Sequence, residues 1–454
     1  MSEASSIAST AESEYQGNGL VVKSSPFGLE KIYDYEEGGH HPVHLGDILH
    51  SRYKVIHKLG TGGYANVWLC RDNSSDTPKY VAMKIIIGEQ STKDCPELRM
   101  NKLLGRGSDK LQSPDYFCLP LDQFEINGPN GIHLAFVYPV LGPRVSRLPS
   151  VAQSDDPGEL LKRICLQVTQ AMAELHRRGV CHGDYRPANI LAQISGLDGL
   201  SEDEVIANLG IPSTTKVVTL SGEGHNLPTA PQYLVYPVDW DSTAANTTIL
   251  YFISDKVRII DFGESYDIAA PVADLGIPQA YCSPEYTLEG KVGIGCDLWA
   301  LGCTLFEIRT GRKLFDTYDD ESDEHLWKTA MVLGKFPEPW WSETWKARRD
   351  YFEDEADAGN RVIEVRRGSN ERSSGPGAVG ALVMQRSQPR SLQETLAQGL
   401  FYENSHGPGG IQRGIPQREI EIFSDLLSKL LTYTPDNRST VSCILDHDWF
   451  KPGF

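Results

Sequence analysis

The sequence predicts an α+β fold in which a small antiparallel β lobe is followed by a larger helical lobe. Residues 53–60 (YKVIHKLG), 66–72 (NVWLCRD) and 79–87 (KYVAMKIII) are short β-branched runs separated by Gly or Asn/Ser/Asp turns, which is the pattern of an antiparallel sheet. Residues 157–179 (PGELLKRICLQVTQAMAELHRRG) carry apolar side chains at helical spacing and end at a glycine, which predicts a long helix. The chain beyond is mainly helical in pattern and ends with the periodic stretch EIEIFSDLLSKLLTY.

The N-terminal part of the chain contains three further predicted segments. Residues 1–34 begin with a Ser/Ala/Glu-rich stretch and are expected to form a disordered tail. Residues 95–105 (CPELRMNKLLG) predict a helix that stops at Gly105, and residues 132–142 (IHLAFVYPVLG) predict a buried strand that runs into a Pro/Gly linker.

We place the β lobe at residues 53–138 and the helical lobe at residues 139–454, with two inserts in the latter. The first insert, at about 195–250, contains a predicted helix (SEDEVIANLG) and a Pro/Gly-rich stretch. The second insert, residues 354–416, contains RGSNERSSGPGAVG and ENSHGPGGIQRGIP. That composition is typical of a mobile insertion.

Composition narrows the function class. The net charge of −18 argues against direct nucleic-acid binding, because phosphate backbones attract an excess of Lys and Arg. No apolar run is long enough to span a bilayer, so no membrane partner is expected. Nine cysteines without a C-x-x-C pair fit neither a zinc site nor a disulfide framework, and they indicate a reducing compartment with mostly buried thiols. We expect a monomer in the cytoplasm and nucleus.

A glycine-rich stretch, LGTGGYANV (59–67), fits the pattern G-x-G-x-x-G-x-V with alanine in place of the third glycine. Glycines allow backbone N–H groups to approach phosphates closely. The predicted nucleotide contacts here are Leu59, Gly60, Thr61, Gly62, Gly63, Tyr64, Ala65, Asn66 and Val67. In VAMK (81–84), strand alternation puts Ala82 and Lys84 on one face, Ala82 toward an adenine and Lys84 toward the α/β-phosphates. A glycine-rich hairpin or a strand lysine is common in proteins, so the prediction depends on the remaining motifs.

The stretches HGDYRPANIL (182–191) and RIIDFGES (258–265) supply those motifs. Phosphoryl transfer needs an oriented nucleophile, metal ions on the phosphates and positive charge where negative charge develops. We predict that Asp184 accepts the hydroxyl proton and that Arg186 reaches the γ-phosphate. Asn189 and Asp261 are the predicted ligands of Mg²⁺, since amide and carboxylate oxygens suit a hard cation. ATP and Mg²⁺ are therefore the expected cosubstrate and cofactor.

Two kinds of phosphotransferase share these motifs. H-G-D-x-x-x-x-N followed by I-D-F-G resembles the aminoglycoside and choline phosphotransferases, and most protein kinases carry arginine where Gly183 stands. Three later stretches, YCSPE (281–285), DLWALG (297–302) and TPDNRST (434–440), resemble instead the protein-substrate platform of protein kinases. In that platform Arg438 is the expected ion-pair partner of Glu285. A pseudokinase scaffold is the non-enzyme alternative, and the presence of Lys84, Asp184, Asn189 and Asp261 disfavours it.

A closer resemblance, over roughly residues 35–450, is to the SR-protein kinases, which phosphorylate serines in Arg/Ser-rich splicing factors. It is carried by YEEGGHHPVHLGDILHSRYKVIHKLGTGGYANVWL (35–69), by VYPVLG (137–142) and by LFDTYDDESDEHLWKTAMVLGKFP (314–337). The chain looks most similar to a divergent fungal branch whose catalytic loop can read H-G-D-x-R-P-x-N. The resemblance implies a two-lobed, eukaryotic protein kinase-like fold with an N-terminal strap at residues 35–52, and a basic, Arg/Ser-rich protein substrate.

The resemblance also implies roles for individual residues. Tyr138 would be the gatekeeper, and the Pro139 carbonyl and Leu141 N–H the hinge contacts to adenine, with Leu191 also at the nucleotide. Glu97 would pair with Lys84. A comparable acidic region docks basic peptides in that family, and here its acids are Asp316, Asp319, Asp320, Glu321, Asp323 and Glu324.

Three departures from the family pattern are Arg186 for lysine, Phe262 for leucine, and Asn101 at an expected apolar position. Whether Ala65 and Asn101 lower the level of activity stays open. The stretch from Asp261 to Glu285 is short and has few hydroxyl side chains. Because Gly183 also removes the arginine that usually binds an activating phosphate, we expect an enzyme that is active as synthesised.

Overall fold

The β-branched runs between residues 53 and 87 form the centre of a six-stranded antiparallel sheet. The computed structural model describes residues 18–105, 116–148, 157–240, 252–317, 321–365, 388–403, 410–451 and 453. The strands of these residues are β1 (Leu20–Val22), β2 (Ile48–Leu49), β3 (Tyr53–Thr61), β4 (Ala65–Asp72), β5 (Tyr80–Ile86), β6 (Asp122–Gly128), β7 (Gly131–Pro139), β8 (Leu141–Arg144), β9 (Val180–Cys181), β10 (Ile190–Ile194), β11 (Thr214–Thr219), β12 (Tyr233–Val235), β13 (Ile253–Ile259), β14 (Tyr266–Asp267), β15 (Phe352–Ala356), β16 (Val362–Glu364), β17 (Leu400–Glu403) and β18 (Gly410–Arg413).

The helices follow the predicted apolar periodicity. Those of the described residues are α1 (Pro96–Gly105), α2 (Gly158–Arg177), α3 (Glu202–Leu209), α4 (Pro284–Glu289), α5 (Ile294–Thr310), α6 (Ser322–Leu333), α7 (Leu392–Leu396), α8 (Gln417–Leu430) and α9 (Val441–Leu445). The predicted strands β3, β4 and β5 and the predicted helices α1, α2, α3 and α8 are confirmed. Helix α3 begins with a capping box, in which Ser201 and Glu204 satisfy each other's backbone N–H groups.

The chain folds into two compact units. The first unit contains residues 18–95, 120–140 and 196–239, and the second contains the described residues of 96–119, 141–195 and 240–454. These limits differ from the predicted lobes at two places. Helix α1 belongs to the second unit, where it packs against the turn at residues 262–264. Residues 196–239 of the first insert belong to the first unit.

The first unit is built on the sheet with strand order β2-β3-β4-β5-β7-β6 and a smaller sheet with order β1-β11-β12. Strand β1 pairs with β11 of the insert, with Leu20 opposite Thr219, and Leu20, Val217 and Leu234 form a small core beneath them. The expectation of a disordered tail is therefore wrong for residues 18–34. Strand β1 of this segment pairs with a strand that lies 195–199 residues away in sequence, which satisfies its backbone hydrogen bonds.

Within the first unit the N-terminal segment is also held by charge. Glu30 forms an ion pair with Lys58 of β3, and both side chains are buried. The Tyr35 hydroxyl donates a hydrogen bond to the other Glu30 oxygen across 2.7 Å. Breaking a buried pair leaves an uncompensated charge, so this contact ties the segment firmly to β3.

The second unit is mainly helical, with α5 buried on nearly all sides. Strands β13, β10 and β8 form an antiparallel sheet in that order. Residues 141–144 were expected to be a Pro/Gly linker, and they form the edge strand β8 instead. An edge strand tolerates Pro143 because its missing N–H is not needed by a neighbour.

The second insert is more ordered than its composition predicts. Strands β15 and β16 pair, and their Phe352 and Val362 pack with buried tryptophans. Helix α7 is capped by Ser391 and Glu394, and β17 pairs with β18. The expectation of a mobile insertion is thus wrong for the parts of residues 354–416 that form these elements. Its Gly- and Ser-rich centre, residues 366–387, lies outside the described residues.

All cysteines are free thiols, and every one except Cys443 is buried, as the composition predicts. Among the described residues, no helix combines the length and the hydrophobicity that crossing a bilayer requires.

Candidate active site

The β3–β4 hairpin of the first unit carries the predicted phosphate loop, residues 59–67. The Gly62 N–H donates a hydrogen bond to the Ala65 carbonyl across 2.9 Å, which closes the turn. A Cβ built on Gly60 or Gly63 would meet no atom within 4 Å, so packing of the hairpin does not demand glycine at either position. Glycine there leaves the backbone open to close approach, as phosphate binding requires.

Strand β5 places the predicted adenine and phosphate contacts on one face of the first unit's sheet. Lys84 stands opposite Val67 of β4, and Ala82 stands opposite Tyr138 of β7. Directly opposed residues of antiparallel strands point to the same side, and residues two apart on one strand share that side. Val67, Ala82, Lys84 and Tyr138 therefore share a face.

The predicted hinge residues fall on both sides of the division between the units. Tyr138 and Pro139 end β7 in the first unit, where Pro139 stands opposite Val81. Leu141 begins β8 in the second unit and stands opposite Gln193 of β10. Leu191, also on β10, stands opposite Arg144. The roles of these residues at a nucleotide stay predictions.

In the second unit the catalytic loop is anchored by a carboxylate from α5. Asp297 is 1% exposed, and its two oxygens accept the backbone N–H groups of His182 (2.7 Å) and Gly183 (3.0 Å). His176 Nε2 lies 3.1 Å from the same carboxylate. Although burial acts to raise it, the hydrogen bond from His176 holds the pKa of Asp297 below its usual value. The loop backbone is thus fixed by a charge that stays ionised.

Gly183 occupies a position that other residues do not fit. Its φ is +81°, and a Cβ built there would lie 2.2 Å from the Glu264 carbonyl oxygen. Both the left-handed backbone and the close approach require glycine. The sequence alone suggested only that an arginine was missing, and the structure supplies the reason.

Asp184, the predicted base, is 6% exposed and held by two partners. Arg186 Nε lies 2.8 and 3.0 Å from its two oxygens. The Asn189 amide donates to the Asp184 side chain (2.7 Å) and to its backbone carbonyl (2.9 Å). Burial raises the pKa of Asp184, while the charge and hydrogen bond of Arg186 and the hydrogen bond of Asn189 oppose that rise. The result is an oriented carboxylate with increased basicity.

The two predicted metal ligands, Asn189 and Asp261, are brought together by strand pairing. Ile190 of β10 stands directly opposite Ile259 of β13, so Asn189 and Asp261 lie at the same end of this strand pair. The Ile260 N–H also donates to the Asn189 carbonyl across 3.0 Å. Strand pairing thus brings together two residues that the first insert separates in sequence.

Asp261 is held in a conformation that is unusual for an aspartate. Its φ is +62° and its ψ is +73°, a left-handed backbone that costs about 1–3 kcal/mol for a residue other than glycine. Strain of this kind is tolerated where the surrounding structure enforces it, commonly at functional sites. The conformation is consistent with the predicted metal-binding role.

Glu97 lies near Asp261 within the second unit. A Cβ built on Gly263 would lie 3.6 Å from an oxygen of each of these carboxylates. Arg99, on the same helix, donates to the Ser265 carbonyl across 3.2 Å. Lys84, the predicted partner of Glu97, belongs to the first unit, and the Glu97–Lys84 ion pair stays a prediction.

The predicted ion pair between Glu285 and Arg438 is confirmed. Two hydrogen bonds of 2.6 and 2.7 Å join the groups, which are 3% and 5% exposed. Arg438 also donates to the backbone carbonyls of Gly295 and Thr432 and stacks over the Trp299 ring. The pair fixes the YCSPE segment to the helical core.

Among the described residues, only some acids of the acidic run, residues 316–324, are free of partners within the protein and so available to bind a basic substrate. Lys313 pairs with Asp316 at 3.5 Å, and the Trp345 indole N–H donates to Asp323 across 2.8 Å. Glu324 is buried and pairs with Lys328 at 3.0 Å. Glu321 is exposed, and Asp319 and Asp320 lie outside the described residues. Docking by this run stays a prediction.

One group of potential metal ligands was not predicted. Atoms of His176, Cys181 and Asp297 lie within 4.8 Å of one another in the described part of the chain. Since the Asp297 oxygens already accept donors from His176 and from the catalytic loop, we interpret the group as structural.

Comparison with known proteins agrees with this geometry. The family model described as "Protein kinase domain" matches residues 246–450. The serine/threonine-protein kinase SRPK of Physarum polycephalum is 26% identical over 431 residues, which cover 92% of this chain and 91% of that protein. The serine/threonine-protein kinase AFC3 of Arabidopsis thaliana is 27% identical over 423 residues, covering 92% and 87%. SRSF protein kinase 3 of Homo sapiens is 32% identical over 164 residues, covering 35% and 28%.

The sheet-rich and helical lobes, the catalytic loop and the family match define a protein kinase. Within that class the chain is similar to a serine/threonine kinase named SRPK, which aligns with it over about nine-tenths of both lengths. The predicted fold class, enzyme class and resemblance to the SR-protein kinases are confirmed.

Proposed function

We propose that this kinase uses ATP and Mg²⁺ to phosphorylate serine or threonine in basic, Arg/Ser-rich proteins. The observation that carries the catalytic part is the Asp184 carboxylate, which is buried and oriented by Arg186 and Asn189. The substrate class is supported by the names of relatives, including SRPK and SRSF protein kinase 3.

The catalytic loop has the parts that a phosphoryl transfer needs. The substrate hydroxyl attacks the γ-phosphorus, ADP leaves, and Asp184 accepts the hydroxyl proton. Its raised pKa makes it a better base than an exposed aspartate. Only the Nε–H of Arg186 is bonded to Asp184, so the rest of its guanidinium can stabilise charge on the transferred group.

The residues of the chain also fit ATP and Mg²⁺. The Asn189 amide nitrogen is bonded to Asp184, which leaves its oxygen as the natural metal ligand beside the Asp261 carboxylate. Magnesium, when bound, neutralises phosphate charge and orients the phosphates. In the first unit, Gly60 and Gly63 leave room for phosphates, and Lys84 supplies a cation for them.

A transfer assay with radiolabelled ATP tests the proposal. The purified chain is incubated with an Arg/Ser-repeat peptide, an acidic peptide and choline side by side. We expect label on serines of the repeat peptide, with loss of transfer when Mg²⁺ is chelated. Label on choline alone would indicate a small-molecule phosphotransferase. No label above that of Asp184→Asn with any acceptor would indicate a pseudokinase scaffold.

A further inference from the structure

The phosphate loop, residues 59–67, does not fix its own position. Three of its nine residues are glycine, which allows many backbone conformations, and Tyr64 between its arms is exposed. Backbone groups that bind a ligand work well only when they are held to within a fraction of an ångström. The position of the loop must therefore come from contacts at its two arms, the end of β3 and the start of β4.

Both arms are held from the face of the sheet opposite to Lys84. Lys58 of β3 stands opposite Trp68 of β4, so the two side chains share a face, and Asn66 shares it because it lies two residues before Trp68. Val67 stands opposite Lys84 and points to the other face. Each arm thus presents one polar side chain, Lys58 or Asn66, to the back of the sheet.

Three residues of the N-terminal segment contact these side chains, and we call them the anchor group: Glu30, Tyr35 and His40. Glu30 pairs with Lys58, and both side chains are at most 1% exposed. The Tyr35 hydroxyl donates to Glu30 across 2.7 Å. The Asn66 amide nitrogen lies 3.4 Å from His40 Nδ1. Burial lowers the pKa of His40 to about 4, so its ring is neutral near pH 7 and can accept the amide N–H.

The anchor group is itself fixed to other parts of the first unit. The buried Asn130 side chain, in the turn between β6 and β7, donates to the His40 carbonyl across 2.6 Å. The same amide donates to the Thr229 carbonyl of the first insert across 2.7 Å. The anchor group is therefore a fixed support behind the loop.

Stability alone is a weak reason for such a network. An apolar pair of similar volume is often as stable as a buried ion pair, whereas a buried pair can specify one arrangement of the elements that it joins. We propose that Glu30, Tyr35 and His40 are positioning residues, which hold the phosphate loop in the arrangement that binds ATP by acting through Lys58 and Asn66. This inference rests on the proposed kinase function and gives the N-terminal segment a part in nucleotide binding.

A double variant separates positioning from stability. Glu30→Gln combined with Lys58→Met removes both buried charges together and keeps an acceptor for the Tyr35 hydroxyl. We expect its thermal midpoint to stay within about 3 °C of wild type. Its Kd for a non-hydrolysable ATP analogue with Mg²⁺, measured by titration calorimetry, should rise about five-fold. KM for ATP should rise with it, and KM for the peptide should not change.

The matched control is Lys54→Met combined with Glu202→Gln. It removes an ion pair of 2.7 Å on the same strand, four residues before Lys58, and should leave the Kd unchanged. His40→Phe tests the other arm, since it keeps an aromatic ring against Tyr35 and removes the acceptor for Asn66. It should raise the Kd about three-fold, and His40→Gln, which keeps an acceptor, should recover most of that loss.

Three results would overturn the inference: an unchanged Kd in both the double variant and His40→Phe, an equal rise in the control, or a rise in KM for the peptide as large as that for ATP. If the double variant does not fold, His40→Phe and His40→Gln decide the question. Failure of the wild-type chain to bind the analogue would refute the proposed function and the inference with it, whereas normal wild-type binding with any of the three results refutes the inference alone.

Discussion

The catalytic loop, residues 182–189, and the acidic run, residues 316–324, both concentrate polar side chains, but they use them differently. In the loop, Asp184 is bound by Arg186 and Asn189. In the run, Glu324 and Asp323 bind side chains of their own unit, while Glu321 is exposed. An ordered motif therefore predicts specific contacts, whereas a density of like charges does not reveal which of them are free to bind a partner.

The largest expected effect is on the catalytic base. Asp184→Asn keeps the shape of the side chain and removes its charge, so kcat for peptide phosphorylation should fall by about 10³-fold. Steady-state transfer of radiolabelled phosphate measures the change. Asp255→Asn, at an exposed aspartate of the same unit, should stay within two-fold of wild type. Retention of more than a tenth of the activity by Asp184→Asn would exclude it as the base.

The second effect concerns stability. Glu285→Gln leaves Arg438 buried without its counter-charge, which should lower the free energy of unfolding by about 3–5 kcal/mol. Asp255→Asn removes one partner of an exposed pair and should cost less than about 1 kcal/mol. Thermal unfolding followed by tryptophan fluorescence compares the two. Equal midpoints would mean that the buried pair contributes no more than an exposed one.

Gly183 allows two sources of strain to be separated. Gly183→Ala combines a positive φ with a clash against the Glu264 carbonyl, whereas Gly290→Ala has a positive φ (+64°) and no atom within 4 Å of its new Cβ. We expect Gly290→Ala to destabilise the protein by about 1 kcal/mol and Gly183→Ala to cost more and to lower kcat, because Asp184 is the next residue. Equal losses of stability with unchanged kcat would contradict the role assigned to the close approach.

The catalytic loop also shows which parts of the site the sequence could predict and which it could not. The order of the motifs is enough to predict that Asp184, Asn189 and Asp261 lie close together. Pairing of β10 with β13 brings the two motifs to the same place whatever the length of the insert between them. The need for glycine at 183 could not be predicted, since it comes from the Glu264 carbonyl on a separate segment.

The first insert shows the same limit at the level of the fold. Its helix α3 was predicted because a capping box is a local signal. Its place in the first unit was not, because that depends on pairing of β11 with β1, and nothing in either short strand names its partner. Strand β8 was missed for a related reason, since its Pro and Gly residues are typical of linkers and only its edge position accommodates them.

A smaller effect is expected from the acidic run. Replacing Asp319, Asp320 and Glu321 together by lysine should raise KM for an Arg-rich peptide by about three-fold and spare a neutral peptide, because exposed charges interact weakly and are screened by salt. The control replaces Glu353, Glu355 and Asp357, which are exposed acids around β15, by lysine. The same rise in KM from both triple variants would show a general charge effect rather than docking by the run.

The smallest expected effect is that of phosphorylation on the catalytic rate. The segment between Gly263 and Pro284 is held by specific hydrogen bonds, as the catalytic loop is. The four hydroxyl side chains between Gly263 and Pro284 are buried, and all of them bond within the second unit. Ser283 donates to Cys296 Sγ across 3.3 Å. Ser265 donates to the His182 carbonyl (2.9 Å), Tyr266 to the Gly293 carbonyl (3.0 Å) and Tyr281 to Glu307 (2.5 Å). The Glu264 carboxylate also accepts the Gly276 N–H across 2.9 Å, so the segment is already closed on itself.

A segment with these contacts needs no phosphate to order it, and a buried hydroxyl is a poor kinase substrate. We therefore expect the chain, expressed in bacteria and treated with phosphatase, to retain its rate within two-fold. Mass spectrometry confirms that Ser265, Tyr266, Tyr281 and Ser283 are unmodified, and peptide transfer is measured before and after. A fall of ten-fold or more, about 1.4 kcal/mol of barrier, that is restored by phosphorylation of Ser265 or Tyr281 would show that a phosphate is required. Ser265→Ala distinguishes a structural role of Ser265 from a regulatory one, because it removes both the hydroxyl and its bond to the His182 carbonyl. A loss of rate in this variant that phosphatase treatment does not reproduce would show that Ser265 holds the catalytic loop and is not a phosphorylation switch.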